Sequence, residues 1–138
     1  MTLIISKEQF DAVNAMTERH KQLSLIGEKF IIRPFKDWYD FLREGRTLRH
    51  AVHYYALNEY VNGKDYLFAM RSVEKADTPF ITIEFDVHGN LVQAVKLHNS
   101  PIKDADESDF INHFREKILL PYLLKLKDEK ENENESES

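Results

Sequence analysis

Cysteine is absent from the 138-residue chain, which removes disulfides, thiolate metal ligands and a thiol nucleophile and fits a reducing compartment. Glycine is scarce: four residues, none in a run, so no glycine-rich loop is available to cradle a nucleotide phosphate. No apolar stretch approaches the roughly 20 residues that a membrane helix needs. The start, Met1 to Lys7, has neither a basic leader region nor a long apolar one. The expectation is a cytoplasmic protein without a membrane partner. A strong charge of one sign is missing as well, once the end of the chain is set aside. The net charge of −5 resides wholly in residues 128–138, DEKENENESES, and leaves 18 basic and 18 acidic residues in the rest. A neutral body lacks the many phosphate contacts that sustain strong non-specific DNA binding.

What is present is enough for one packed domain. Hydrophobic residues make up 42% of the chain, with nine Phe, six Tyr and one Trp. Ser6 and Gln9 have the spacing of a capping box and predict a helix over 7–20 with Phe10 and Val13 inward. Lys29–Ile32 reads as a strand. Pro34 is placed to open a helix over 35–44 and Gly45 to close it. Thr47 is placed to cap a central helix over 48–62, which Gly63 ends. Three strands follow, at 66–72, 80–87 and 91–98, the last two joined by a tight turn at His88-Gly89-Asn90. Asp106 or Ser108 is placed to cap a closing helix, which is kinked or restarted at Pro121. The fold class expected is α+β: a small antiparallel sheet of three to four strands with helices on one of its faces, in a single domain over residues 1–127. Residues 128–138 are too polar and charged to pack and are expected as a disordered acidic tail, either a solvated end or an acidic strip that competes for a basic surface.

Leu48-Arg49-His50-Ala51-Val52-His53-Tyr54-Tyr55, preceded by Glu44-Gly45, is similar to the signature Leu-Arg-His-Cys-Val-Gly-x-Tyr of the PcfJ-like family. The resemblance continues in order through Phe68 and Arg71, then Thr82-Ile83-Glu84, then Gln93 and Asn99, and spans roughly Ile31 to Phe114. It implies an origin on a plasmid or phage, in a bacterial host. Three departures stand out: Ala51 where the family has Cys, and His53 and Lys96 where it has Gly. Any chemistry of that thiol is lost here, since a methyl group cannot replace a nucleophile.

Three constellations carry candidate chemistry. His50, Arg71, Glu84, Gln93 and Asn99 are pocket candidates, if they converge under the central helix; the alternative is a network that fixes strand register. His50 and His53, three apart on the expected helix, are candidate metal ligands with Glu84, a divalent ion being the only cofactor in view; the alternative is a hydrogen-bonded core histidine beside a half-exposed one. Arg43, Arg46 and Arg49 recur every third residue and form a candidate patch for nucleic acid or a protein partner, against ordinary ion pairing with the acids among them. The function expected is a non-enzymatic binding or inhibitor protein of a mobile element. Its partner would be a host or competitor protein, most concretely a CRISPR effector, which makes the chain an anti-CRISPR-type inhibitor. The alternatives are a metal-dependent enzyme that processes nucleic acid, and an accessory DNA-binding factor of plasmid or phage propagation.

Overall fold

Ser6 and Gln9 close the capping box that their spacing predicts: Gln9 N–H donates to Ser6 Oγ at 3.1 Å, and Ser6 N–H to Gln9 Oε1 at 2.9 Å. They head α1 (Lys7–His20), whose Val13, Thr17 and His20 are buried. The computed structural model describes residues 5–137, save the side chains of Asn99 and of residues 134–137; residues 1–4, on which the leader reading partly rests, and Ser138 of the tail lie outside the described residues.

Five strands form one antiparallel meander in chain order: β1 (Leu25–Ile26), β2 (Phe30–Pro34), β3 (Asp65–Ser72), β4 (Ile81–Asp86) and β5 (Leu91–Val95). The extra strand is the two-residue β1, too short to leave a periodic signal. Pro34 ends β2 instead of opening a helix. Asp37 supplies the cap, its carboxylate accepting from Asp40 N–H, and α2 runs over Trp38–Leu48.

Gly45 therefore lies inside α2 rather than at its end. A side chain there would sit 2.7 Å from His53 Nδ1 and 3.0 Å from the His50 carbonyl oxygen, so the glycine serves close approach and not termination. Arg49 takes the left-handed conformation (φ 57°, ψ 48°) that stops α2. Thr47 is helical and caps nothing. The expected central helix is thus delayed to α3 (Val52–Tyr55), which passes into a π-helical turn at Ala56–Tyr60.

Helices cover both faces of the sheet, not one. On one face Phe68, Met70, Ile81, Ile83 and Phe85 pack against Ile111, Phe114 and Leu119 of the C-terminal helices. On the other, Leu67 and Ala69 pack against Val13, Phe35, Trp38, Phe41, Val52, Ala56 and Tyr60. The polar side of β4, Thr82 and Glu84, is consequently buried beneath α2 and α3. Polar partners await these side chains inside.

Asp104, two residues before the earlier of the caps expected, heads α4 (Ala105–Phe114). A π-helical turn at Arg115–Leu119 leads into α5 (Leu120–Glu137). The wide turn lies just ahead of Pro121, which offers no N–H and whose ring would crowd the carbonyl four residues back in a regular helix. The segment expected as a disordered tail continues α5 through Glu137. Leu, Lys and Glu are strong helix formers and extend a helix already nucleated by packing at Leu119 and Leu123.

Candidate functional site

Glu44 turns inward from α2 and meets Arg71 of β3. Arg71 donates from one terminal nitrogen to Glu44 Oε1 at 3.2 Å and from the other to Oε2 at 2.5 Å, a bidentate pair. Neither side chain exceeds 2% exposure. Burial pushes the Glu44 carboxyl up, and the Arg71 guanidinium pulls it back. Because an arginine keeps its charge, the ionised carboxylate is the form that satisfies the pair.

Thr82 on β4 donates its hydroxyl hydrogen to Glu44 Oε1 at 2.8 Å. Its oxygen lies 2.7 Å from His50 Nε2, and Val52 N–H donates to His50 Nδ1 at 3.3 Å. With Nδ1 accepting and the Thr82 hydrogen spent on Glu44, the proton of His50 resides on Nε2 and is donated to Thr82. Burial lowers the pKa of His50, in keeping with this neutral tautomer. One chain of hydrogen bonds thus runs from the link before α3, through β4, to the ion pair between α2 and β3. His50 lies in that link and not on a helix, so the helical spacing expected for His50 and His53 does not exist.

A cavity of about 50 Å³ opens beside this chain, between α3 and the sheet. Glu84, Gln93 and Thr82 form part of its floor, and His50, Ala51 and Tyr55 part of its roof. Gln93 sits opposite Glu84 in the β4–β5 pairing and donates its amide to Glu84 Oε1 at 2.9 Å. Behind Glu84 is Asp65, diagonal to it across β3 and β4 and buried, with neither carboxylate oxygen hydrogen-bonded as an ionised group. Burial and the neighbouring Glu84 push the Asp65 carboxyl up to about 9. At neutral pH Asp65 is the protonated partner and hands its hydrogen to Glu84.

Of the pocket candidates, the structure gathers His50, Glu84 and Gln93 at the cavity and places Arg71 one layer inward, on Glu44. Asn99 ends a short turn after β5, and its side chain lies outside those described. The metal set is not assembled. Both ring nitrogens of His50 are engaged, His53 packs against Gly45 and Trp38, and Glu84 is held by Gln93. Among the described residues no group of three His, Cys, Asp or Glu side chains is arranged to hold a metal ion.

The arginines behave differently from ordinary surface pairing. Arg43, Arg46 and Arg49 are all exposed, and among the described residues none makes an ion pair. The acids expected to neutralise them are spent elsewhere: Asp37 caps α2, Asp40 pairs with Arg33 at 2.8 Å, and Glu44 goes to Arg71.

Sequence reasoning missed Glu44, Thr82, Asp65 and His20. Glu44 and Thr82 belong to the quoted motifs, and their polar character at inward positions was the available signal. Asp65 carries none, sitting one residue before the strand expected. His20 closes α1 against the rings of Tyr60, Tyr66 and Tyr122, with centroids 5.1 to 6.0 Å away, and burial takes its pKa down to about 4.

No helix among the described residues is long and apolar enough to cross a membrane. No curated protein and no solved structure matches the chain. The model of the family described as PcfJ-like protein matches residues 4–110, a span that takes in α1, the whole sheet and the start of α4. The motifs that join α2 to the sheet, Glu44-Gly45, His50, Arg71 and Thr82, all fall within that span, and the chain belongs to the PcfJ-like family.

Proposed function

We propose that this chain is a non-enzymatic binding protein of a mobile genetic element that docks on a basic macromolecular surface and blocks it. The most concrete form is an inhibitor of a host defence nuclease such as a CRISPR effector, whose nucleic-acid channel is positively charged. One observation carries the reading. The acidic end continues α5 as helix, with Asp128, Glu129, Glu131 and Glu133 exposed on a helix about 27 Å long. A rod of carboxylates on a neutral body presents negative charge in the way a nucleic-acid strand does.

The cavity supports the same reading. Ala51, at the position where the family has Cys, lies in its wall beside His50. Beside this histidine, where the resemblance places a thiol, the chain holds a methyl group.

The test is inhibition of purified nucleases with basic channels, CRISPR effectors among them, by the full chain and by a chain ending at Lys127. Inhibition that weakens with salt and needs residues 128–138 supports the proposal. Equal inhibition by both chains, or none by either, removes it.

The exposed arginines favour a second reading, contact with nucleic-acid phosphates through Arg43, Arg46 and Arg49. It requires affinity for single-stranded DNA that falls with salt, by a slope about 1.4 units shallower in Arg43→Ala/Arg46→Ala. An unchanged slope discards it.

A further inference from the structure

Glu84 is a charged group with an unusual set of neighbours. It is 8% exposed, yet no cation pairs with it among the described residues. Its neighbours are a neutral amide from Gln93 at 2.9 Å and the carboxyl of Asp65. The nearby charges cancel without it: Arg71 balances Glu44, and His50 is held as the neutral tautomer by Val52 and Thr82. One net negative charge is therefore left at the cavity wall. A buried carboxylate in that state is costly until a positive group reaches it.

The cavity has room for such a group. Its volume of about 50 Å³ holds a few water-sized groups, since about 10–15 Å³ in this measure holds one. Its mouth is open: Ala51 is exposed, and Tyr55, at 43% exposure, presents an aromatic ring there. Val52, Leu67 and Val95 line the rest with aliphatic surface. A carboxylate at the floor, an aromatic ring at the rim and apolar sides suit a compact cation carried on an alkyl stem.

We infer that the cavity between α3 and strands β4 and β5 binds an alkylammonium or alkylguanidinium group, with Glu84 as its counter-ion, Gln93 beside Glu84 in the floor and Tyr55 at its rim. N–H donors of the cation take the lone pairs of Glu84 that Gln93 and Asp65 leave open, and the alkyl stem leaves past Tyr55. A free amine and a lysine or arginine side chain share this chemistry. The site goes beyond the docking reading and does not depend on it, because its test involves no protein partner.

The full chain, labelled with nitrogen-15, is titrated with methylguanidinium, methylammonium and tetramethylammonium at constant ionic strength. Saturable shifts of the amides of Ala51, Thr82, Glu84 and Gln93 are expected with the first two. Tetramethylammonium, which has no N–H and is too bulky, gives none. Glu84→Gln weakens the binding by about ten-fold or more, as loss of a charged hydrogen-bond partner should. Shifts confined to residues 128–133, or equal shifts with tetramethylammonium, overturn the proposal through the wild-type chain alone, whether or not the variant folds. Agmatine is then compared with a blocked Gly-Arg-Gly peptide. Tighter binding of agmatine at the same amides identifies a free amine, tighter binding of the peptide identifies a side chain of a partner, and failure of both overturns the site.

Discussion

Arg71 of β3 and Glu44 of α2 form a bidentate ion pair sealed between the sheet and a helix, at 2% and 0% side-chain exposure. Two desolvated charges hold α2 in place, and each is tolerable only because of the other. Arg71→Met alone or Glu44→Leu alone is expected to cost about 3–5 kcal/mol in urea unfolding, with the double variant recovering most of the loss. Single variants within about 1 kcal/mol of wild type would show that the pair does not anchor the layer.

The Asp65 carboxyl gives stability a sign opposite to that of an ordinary salt-bridged acid. Folded Asp65 keeps its proton up to about pH 9, whereas an unfolded aspartate loses it near pH 3.9. The folded state binds the extra proton in between, so stability falls as pH rises through that window. Below about pH 6.5 the effect is opposed by His20, His50 and His53, whose lowered pKa values make stability rise with pH. The cleanest window is therefore pH 6.5 to 9, with a decline no steeper than about 1.4 kcal/mol per pH unit. Asp65→Asn should flatten it in denaturant melts; a variant with the wild-type slope would assign the proton elsewhere.

Gly45 is sterically committed to His53. Gly45→Ala places a methyl group 2.7 Å from His53 Nδ1 and 3.0 Å from the His50 carbonyl, and overpacking of this kind costs about 1–3 kcal/mol. Adding His53→Gly removes the first contact and leaves the second, so thermal melts should show partial and not full recovery.

The acidic half of α5 works against itself. Glu129 and Glu133 are four residues apart, Asp128 and Glu131 three, and all lie toward the helix C-terminus, where negative charge opposes the dipole. Salt screens both penalties. The circular dichroism difference between the full chain and one ending at Lys127 should become more helical from about 10 mM to about 1 M salt. Thermal stability of the two bodies should agree closely, since residues 127–133 are exposed. Helicity indifferent to salt would mean that another interaction holds the segment.

The elements that follow from local chemistry were legible in the sequence: the capping box of α1, the period-two run of β4, and the Gly89 turn at φ 82°. The junction of α2 and α3 was not, because a glycine inside a helix reads as a stop unless the crowding by His53 is known. Nor was the second helical layer. Glu84 was legible as a pocket candidate, but alternation records polarity and not the helices that lie opposite. Of the site, His50, Glu84 and Gln93 were legible as a group, whereas Glu44 becomes meaningful only once α2 packs it against Arg71, and Asp65 only once strand register sets it beside Glu84.

The π-helical turn at Arg115–Leu119 fixes the azimuth of everything after it. One residue more in that turn rotates the rest of the helix by about 100° relative to a regular continuation. As built, Leu120 and Leu123 come down over Gly89, so close that a side chain there would lie 2.6 Å from Leu120. Deleting a single residue from the turn would restore regular winding and swing these leucines off the β4–β5 turn. The heading of the acidic rod is thus set by a phase offset of one residue, a quantity that no substitution on its surface would alter.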